Sequence, residues 1–318
     1  MSQAVLKKIA EISGVSITTA HRALTGHPYV KAEVKKKVLK TAASFNYVPP
    51  QVAQKHQIAV LISANPEPYL SLYRSNILGM ILAECGKRGL GVEAVISENL
   101  QVLDDHFLRY ALICQSTFDV KLLKKYKNTA FFSMNSLHTQ YPGTATDEIQ
   151  TIRLGMDYLY NSGHRRIAAA VPMWENDPVI DLRLQTYYDF YREKNLDYRN
   201  VLRVMPQSCN YASWLEQLHS QDGTDAIFSM GEDILPAIYY GLNQHNIKIP
   251  EDLSLLSFEN EIACFLNPPI TAVAQDFKTI INHTLDRIEN ALNQTAALDK
   301  TYELIPSSLV ERTSVRQR

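Results

Sequence analysis

The chain lacks long hydrophobic runs and has few cysteines. Its apolar segments, such as residues 58–62, are far shorter than the roughly 20 residues needed to cross a bilayer, and the amino terminus has no apolar signal region. The four cysteines are scattered, with no C-x-x-C pair and no histidine at metal-ligand spacing: Cys85, Cys114, Cys209 and Cys264. We therefore expect a cytoplasmic protein with reduced cysteines, no membrane contact, no metal and no cofactor.

The sequence also lacks the short motifs of common α/β enzymes. It contains no glycine-rich phosphate loop and no G-x-S-x-G turn. His164, His219, His245 and His283 lie in contexts that indicate no catalytic role. We therefore predict that the protein is not an enzyme.

The near-neutral net charge of −1 conceals an uneven distribution. Residues 1–57 contain nine basic and two acidic residues, a net charge of +7, and the remainder carries −8. A basic head on an acidic body is the pattern of a phosphate-binding module joined to a second domain. The run Lys35-Lys36-Lys37 taken alone is equally consistent with a solvated helix face.

Residues 14–24 have the pattern of a helix-turn-helix. Gly14 can adopt the positive φ that ends a helix. Ser16 can then cap a second helix by accepting a hydrogen bond from the backbone near Thr19. The second helix of such a unit enters the major groove of DNA. An ordinary helical hairpin is the alternative, and the basic charge favours the DNA-binding interpretation.

A proline pair, Pro49-Pro50, separates this helical head from a body of alternating strands and helices. The pattern predicts strands at 58–62, 92–96, 110–114, 129–133, 166–171, 201–205, 225–229 and 253–258. It predicts helices at 75–88, 151–161, 181–194, 211–219, 233–245 and 277–293. Such alternation is typical of an α/β fold with parallel sheets flanked by helices. The length of the body indicates two lobes with a ligand cleft between them.

Several segments match one family in order and spacing. They are Ile9-Ala10, Gly14-Val15-Ser16, Thr19, Arg22 and Tyr47-x-Pro49 in the head, and Gly163-His164-Arg165-Arg166-Ile167, Ile249–Ser254, Pro268–Gln275 and Leu309–Ser314 in the body. On these residues the chain resembles the lactose-repressor/galactose-repressor family of bacterial transcription regulators. The resemblance implies an all-α helix-turn-helix head and a two-lobed, periplasmic-binding-protein-like core.

The resemblance also implies domain boundaries and partners. The expected parts are a head (1–46), a shortened hinge (47–57), a first lobe (58–162 with 277–303) and a second lobe (163–276 with 304–318). The expected partners are a pseudo-palindromic double-stranded DNA operator, a second copy of the chain and a small-molecule effector such as a sugar or polyol. Because the chain stops at the family's usual end, we expect a homodimer rather than a tetramer.

The helix-turn-helix geometry and the resemblance together select the residues expected at DNA. They are Ser16, Ile17, Thr18, Thr19, His21, Arg22, Tyr47 and His56. Thr18 suits a base contact and Arg22 suits a guanine or a phosphate. Helix capping is the alternative for Thr19, and a solvated side chain is the alternative for His21, where the family usually has serine.

His56 stands where the family has a leucine that wedges into the minor groove. Histidine is a poor apolar wedge, and an inserted apolar side chain is what unstacks a base step. We therefore hypothesise that this protein does not kink its operator through an intercalated leucine.

The resemblance also selects candidate effector-binding residues. They are Tyr69, Tyr73, Asp147, Arg183, Glu232, Glu259, Gln275 and Phe277. An arginine fork suits paired hydroxyls or a carboxylate. At 232 and 259 glutamate replaces a shorter family residue, so we expect a pocket of different size, and an amine-bearing ligand remains an alternative to a sugar. A core position is the alternative for Phe277.

Two other functions remain open on the sequence. One is a regulator with a degenerate pocket that binds DNA constitutively, which the substitutions at 232 and 259 keep possible. The other is a two-lobed sugar-binding protein or enzyme without a DNA function. The basic head argues against the latter.

Overall fold

The structure is a computed structural model. It describes residues 2–25, 27, 29–45, 47, 56–63, 72–173, 176–197, 200–205, 218, 223–293 and 300–318. Tyr69, most of the expected hinge and most of the helix expected at 211–219 lie outside the described residues.

The elements run in chain order as follows. The helices are α1 (Ser2–Ser13), α2 (Ile17–Leu24), α3 (Ala32–Ser44), α4 (Leu72–Lys87), α5 (Val102–Asp105), α6 (Glu148–Asn161), α7 (Pro178–Glu193), α8 (Leu235–Gln244) and α9 (Phe277–Leu292). The strands are β1 (Gln57–Ile62), β2 (Gly91–Ile96), β3 (Tyr110–Ile113), β4 (Ala130–Met134), β5 (Gly143–Thr146), β6 (Ile167–Pro172), β7 (Asn200–Val204), β8 (Ala226–Ser229), β9 (Ser254–Ser257), β10 (Thr271–Ala274), β11 (Tyr302–Ile305) and β12 (Ser308–Val310).

The head is the predicted helical unit. α1 ends at Gly14, whose φ of +68° is the left-handed conformation that glycine adopts without strain. Ser16 then caps α2, since its side chain accepts from the backbone N–H of Thr19 at 3.1 Å. Apolar side chains of all three helices close a small core, which includes Ile9, Leu24 and Val38.

The body contains two sheets of six strands, and this confirms the predicted α/β class. The first sheet has the order β11-β5-β4-β3-β1-β2, and the second has the order β12-β10-β9-β8-β6-β7. The pairs among β1 to β4 and among β6 to β10 are parallel, whereas β12 is antiparallel to β10. In each sheet the chain reverses its direction of winding beside one strand, β1 or β6. Ligands of such sheets bind outside the carboxyl ends of the strands near that point.

The eight predicted strands are confirmed to within two residues at each end, but four short strands were not predicted. β5, β10, β11 and β12 have three or four residues each. Such segments are too short to show a period in the sequence, and they become strands because an existing sheet edge offers hydrogen-bond partners.

Contacts divide the chain into two compact units. Unit 1 comprises Met1–Pro66, Ile81–Gly143 and Asn282–Tyr302, and unit 2 comprises Glu67–Met80, Thr144–Ile281 and Glu303–Arg318. The expected first lobe ran through residue 162. The structure changes unit before α6, because that helix packs its buried side chains on the second sheet.

Two details fix the packing within the units. A Cβ at Gly155 of α6 would lie 2.5 Å from the Phe228 ring, so the helix needs glycine to approach β8. In unit 1, Phe107 follows α5 and packs against the core of the head. The head is therefore joined to the rest of unit 1 by side-chain packing as well as by its covalent connection.

Within the described residues, every helix is too short or too polar to cross a membrane.

Candidate DNA-binding and effector sites

The exposed face of α2 carries most of the expected DNA-contacting residues. Ile17, Thr18, His21 and Arg22 are exposed, and Ala20, Ala23 and Leu24 form the opposite, buried face. Ile17 is 47% exposed although it is apolar. This face is thus available to a partner.

The side chains of Ser16 and Thr19 are hydrogen-bonded to each other. The Thr19 hydroxyl lies 2.8 Å from Ser16 Oγ, and the Thr19 backbone donates to the same oxygen. The two side chains therefore lie together at the start of α2, where Ser16 is the N-cap. Helix capping was the alternative role for Thr19 in the sequence analysis. Both hydroxyls keep further acceptor capacity for a phosphate-bound water or donor capacity for a phosphate oxygen.

The remaining two expected residues lie elsewhere. Tyr47 is buried in the core of the head, and burial raises the pKa of its hydroxyl. His56 is exposed directly before β1, and its carbonyl accepts from the Gly91 backbone at 3.2 Å. His56 therefore extends the pairing of β1 with β2 on the sheet of unit 1.

In unit 2 the guanidinium of Arg183 is enclosed by acceptors. It forms a two-point ion pair with Glu148, with Nε donating at 2.7 Å and Nη2 at 3.0 Å. Nη2 also donates to Glu232 Oε1 at 3.1 Å, and Nη1 donates to Glu232 Oε2 at 3.4 Å and to the Met230 carbonyl at 2.8 Å. Every N–H of the side chain therefore has an acceptor in the protein.

The flat face of this guanidinium also has a partner. Its central carbon lies 4.1 Å from the centre of the Phe258 ring, which is itself buried and stacked on Phe228. An aromatic face attracts a cation, most strongly where water is excluded. Arg183, Glu148, Glu232, Gln275 and Thr146 form the group that we call the Arg183 cluster.

Glu148 was missed by the sequence analysis, which selected the neighbouring Asp147. Asp147 caps α6, since its Oδ1 accepts from the Gln150 backbone at 3.0 Å. Glu148, one residue later, points inward to Arg183. The sequence shows two adjacent acidic residues, Asp147 and Glu148, where α6 begins. Successive residues of a helix point in different directions, and only the position of the helix on the sheet decides which of the two faces the core.

Glu232 links Arg183 to two further polar side chains. Gln275 Nε2 donates to Glu232 Oε1 at 2.7 Å, and the amide oxygen of Gln275 accepts from the Thr146 hydroxyl at 2.7 Å. These two contacts fix the orientation of the Gln275 amide, since its nitrogen must face the carboxylate. Thr146 is the last residue of β5, and Gln275 and Glu232 follow β10 and β8, so these hydrogen bonds join residues at the carboxyl ends of three strands.

Burial and the charge of Arg183 oppose each other in the cluster, and the pKa values of the two carboxyl groups shift in opposite directions. Burial would raise the pKa of Glu232, but the charge and hydrogen bonds of Arg183 outweigh it and hold the pKa below its ordinary value. Burial raises the pKa of Glu148 despite the opposing effect of Arg183. Burial would lower the pKa of Arg183, and the two carboxylates outweigh it and raise the pKa. One cation thus faces two carboxylates, with a net charge of −1 when all are ionised.

Two aromatic side chains, Tyr73 and Phe277, lie next to residues of the Arg183 cluster. The rings of Tyr73 and Phe277 are tilted, with centres 5.9 Å apart, and both are half-buried. The Tyr73 backbone donates to Asp233 Oδ1 at 3.0 Å. Asp233 is next to Glu232, and Phe277 is two residues beyond Gln275. The structure therefore brings Tyr73, Glu232, Gln275 and Phe277 into one region of unit 2.

Glu259 is committed to the local backbone. Its carboxylate accepts from the Ile262 backbone at 2.8 Å and from the Ala263 backbone at 2.9 Å, at the start of a short 3-10 turn. Burial raises the pKa of Glu259, with these backbone donors opposing. The side chain stabilises the loop after β9, and its acceptors are largely used there.

The region suits a small polar ligand better than a metal ion. Among the residues that the structure describes, no group of three or more His, Cys, Asp or Glu side chains could hold a metal. Fixed carboxylate and amide groups beside aromatic rings are the usual lining of a small-molecule site.

Two family models match the chain. Residues 5–50 match the model described as bacterial regulatory proteins, lacI family, and residues 156–315 match the model of a periplasmic binding protein-like domain.

Curated relatives match along almost the entire chain. The ribose operon repressor of Escherichia coli (strain K12) is 23% identical and the alignment covers 98% of this chain and 99% of the relative. The HTH-type transcriptional repressor PurR of Vibrio vulnificus is 21% identical, with 98% of both chains covered.

Solved structures of similar fold also cover almost the whole chain. The lac repressor dimer bound to operator and the anti-inducer ONPF has a TM-score of 0.69 at 19% identity, with 98% of both chains covered. The complex of the transcriptional regulator CelR with cellobiose has a TM-score of 0.69 at 18% identity, covering 97% of this chain and 99% of that one. The fold that was predicted from the sequence is confirmed.

Proposed function

Because the chain belongs to the lacI family of bacterial regulatory proteins, we propose that it is a sequence-specific DNA-binding repressor whose operator affinity is controlled by a small molecule. The curated relatives are transcription regulators. We accordingly propose no catalytic activity, and we propose the cytoplasm as its location because the operator lies there.

The capped helix α2 carries the DNA-binding part of the proposal. Its exposed face presents Ile17, Thr18, His21 and Arg22 on a head with a net charge of +7. The exposed lysines of the head are those at 7, 8, 31, 36, 37 and 40. Cationic side chains of the head supply affinity for phosphates, and the side chains at the start of α2 select bases.

We propose that the protein is a homodimer bound to a pseudo-palindromic operator. An exposed apolar patch of unit 2 supports self-association. Phe265 is 86% exposed, and Tyr240 on the nearby α8 is also exposed. The Tyr239 hydroxyl ties α8 to the segment after Phe265 through the Asn267 carbonyl at 2.7 Å. Sedimentation of Phe265→Ser should give a higher fraction of monomer than wild type, and unchanged sedimentation would reject this surface.

The effector is proposed to bind at the Arg183 cluster and the Tyr73–Phe277 pair. Glu232 and Gln275 follow the carboxyl ends of β8 and β10 of the second sheet, where ligands of such sheets bind. A sugar or polyol suits carboxylate and amide groups beside aromatic rings. The relatives named for ribose and the CelR–cellobiose complex add to this reading. Effector control follows if the ligand binds more tightly to the conformation with the lower operator affinity.

A constitutive DNA-binding protein is the second candidate, and one observation favours it. All N–H groups of Arg183 are already used by Glu148, Glu232 and the Met230 carbonyl. An arginine that is satisfied without a ligand has less to gain from one.

One experiment separates the two candidates. An operator is first selected from random DNA in vitro, and its affinity is then measured by fluorescence anisotropy with D-ribose, cellobiose, glucosamine, nucleobases and polyols. A change of at least about fivefold with one of these compounds, which corresponds to about 1 kcal/mol of coupling, supports effector control. Tight operator binding that no compound changes supports the constitutive candidate, and failure to select any sequence contradicts both.

A further inference from the structure

The two carboxylates on Arg183 differ in their access to solvent. The side chain of Glu148 is 7% exposed and that of Arg183 is 3% exposed, whereas that of Glu232 is 19% exposed. Glu148 is fixed at the first residue of α6 beneath the guanidinium. Glu232 lies on the more exposed side of the same guanidinium.

Glu232 holds donors that a ligand would otherwise use. Its two oxygens accept from both terminal nitrogens of Arg183, at 3.1 and 3.4 Å. Two parallel contacts of this kind are how an arginine recognises a free carboxylate or a phosphate. Gln275 holds the same carboxylate from another side at 2.7 Å, so the geometry is fixed by more than the ion pair.

We propose that Glu232 acts as an internal ligand of Arg183 and makes the site reject carboxylates and phosphates. A molecule that binds beside it meets an Arg183 whose N–H groups are all engaged and a Glu232 carboxylate that accepts, so we expect it to supply hydrogen-bond donors, as an amine or a hydroxyl does. This inference rests on the proposed function in that it names the ligand class of that same site. The occupancy of Arg183 by Glu232 can nevertheless be tested without an effector or DNA.

The physical basis is competition for one cation. An anion that approaches Arg183 in the wild-type protein meets a negative carboxylate and finds no N–H group without an acceptor. If only the Glu232 carboxylate is removed, Nη1 and Nη2 of Arg183 each lose an acceptor. The substitution also opens a space of the size of a carboxylate. A small free carboxylate should then occupy that space, while chloride, which has one acceptor atom and cannot form two parallel contacts, should not replace it.

The test is chemical rescue of Glu232→Ala, with sodium formate as the probe and sodium chloride at equal concentration as the reference. Thermal unfolding is followed for wild type and variant. The variant should lose about 4–8 °C in Tm because buried donors lose their acceptor. Formate at about 0.1–0.2 M should recover at least half of that loss relative to chloride, and inorganic phosphate should act in the same direction. Wild type should respond equally to formate and chloride.

Two matched variants control for general effects. Glu232→Gln keeps the side-chain volume, so it leaves no space and should show no formate-specific gain. Glu148→Ala removes the other carboxylate of the same guanidinium, but its position is buried, so formate should restore little. If Glu232→Ala does not stay folded, refolding yield in formate against chloride becomes the measurement, and a yield that rises only in formate supports the proposal.

Equal responses of Glu232→Ala to formate and chloride would overturn the proposal, as would a formate-specific gain in wild type. Neither result depends on operator binding. If formate rescues Glu232→Ala but no compound changes the DNA affinity of the protein, effector control is rejected and the internal-ligand proposal is kept. If a compound changes the DNA affinity but formate gives no rescue, effector control is kept and the internal-ligand proposal is rejected.

Discussion

The backbone N–H of Thr19 donates to Ser16 Oγ across 3.1 Å, and α2 begins between these two residues. The contact satisfies one of the N–H groups that a helix leaves without a partner at its start. The buried face of α2, formed by Ala20, Ala23 and Leu24, leaves Ile17 and Thr18 of the first turn exposed.

Loss of this cap should loosen α2. Ser16→Ala is expected to cost about 1 kcal/mol of local stability, since an N-cap hydroxyl contributes that much. Hydrogen exchange of the α2 amides should therefore accelerate about fivefold. Ser44→Ala serves as the control, because the Ser44 hydroxyl donates to the Thr41 carbonyl in the last turn of α3 and not to α2. Equal exchange of α2 in wild type and Ser16→Ala would show that the cap contributes nothing.

Thr18 and Lys40 should affect DNA binding in different ways. Thr18→Val keeps the side-chain shape and removes the hydroxyl, so it should lose about 1–3 kcal/mol at one position of the selected operator and relax the preference there. Lys40→Ala removes an exposed charge of α3 and should weaken all sequences alike, with a smaller salt dependence.

Anisotropy titrations on the operator and on its single-position variants distinguish these outcomes. A uniform loss for Thr18→Val would mean that Thr18 contacts the DNA backbone rather than a base.

Arg183→Met should destabilise unit 2 severely at neutral pH. Glu148 and Glu232 would lose their shared cation, and breaking a buried ion pair in this way costs about 3–5 kcal/mol. The cost should shrink as pH falls from 7 to 5. Burial already raises the pKa of Glu148, and without Arg183 this pKa rises further, so the folded variant takes up a proton and becomes neutral at this position.

Urea unfolding at pH 7 and pH 5 measures this difference. Arg153→Met is the matched control, because Arg153 makes a two-point pair with Glu193 on the surface at 2.8 and 2.6 Å. Removal of that surface pair should change the urea midpoint little at either pH. A deficit of Arg183→Met that is independent of pH would contradict the assignment of Glu148 as its buried partner.

The operator should show no sharp central kink in the complex. His56 replaces the expected apolar wedge, and its carbonyl is engaged with the Gly91 backbone beside β1. Inserted apolar side chains bend DNA by about 20–90°, so energy transfer between dyes at the operator ends should report a bend below this range for wild type. A bend of that size in wild type, unchanged in His56→Ala, would mean that another residue supplies the wedge.

The parts of the fold that depend on neighbouring residues were predictable from the sequence, and the parts that depend on residues distant in the chain were not. Gly14 and Ser16 act on their immediate neighbours, and their effect was predicted correctly. The longer strands were predicted from short apolar segments, of which β1 and β6 are buried along most of their length. β5, β10, β11 and β12 depend on partners far away in sequence, and three or four residues do not reveal such pairing.

The candidate effector site was predictable as a set of positions but not as a set of contacts. The resemblance selected Arg183, Glu232 and Gln275, which the structure brings together. It did not select Glu148, because only the phase of α6 separates it from Asp147. Nothing in the sequence indicates that Arg183 is already satisfied, since that depends on distances among α6, α7 and the strand ends. Tyr47 was expected at DNA and is buried, because its ring completes the core of a small head.

Competition between an intact operator and one with a scrambled half-site tests the central claim most directly. The operator is selected in vitro, and both DNAs are titrated with wild-type protein and with Arg22→Ala at about 0.15 M salt. A dimeric, sequence-specific repressor should prefer the intact operator by at least about 1,000-fold, and Arg22→Ala should lose most of that preference. Equal affinity of wild type for both DNAs would show that the basic head binds phosphates alone, and it would contradict the account.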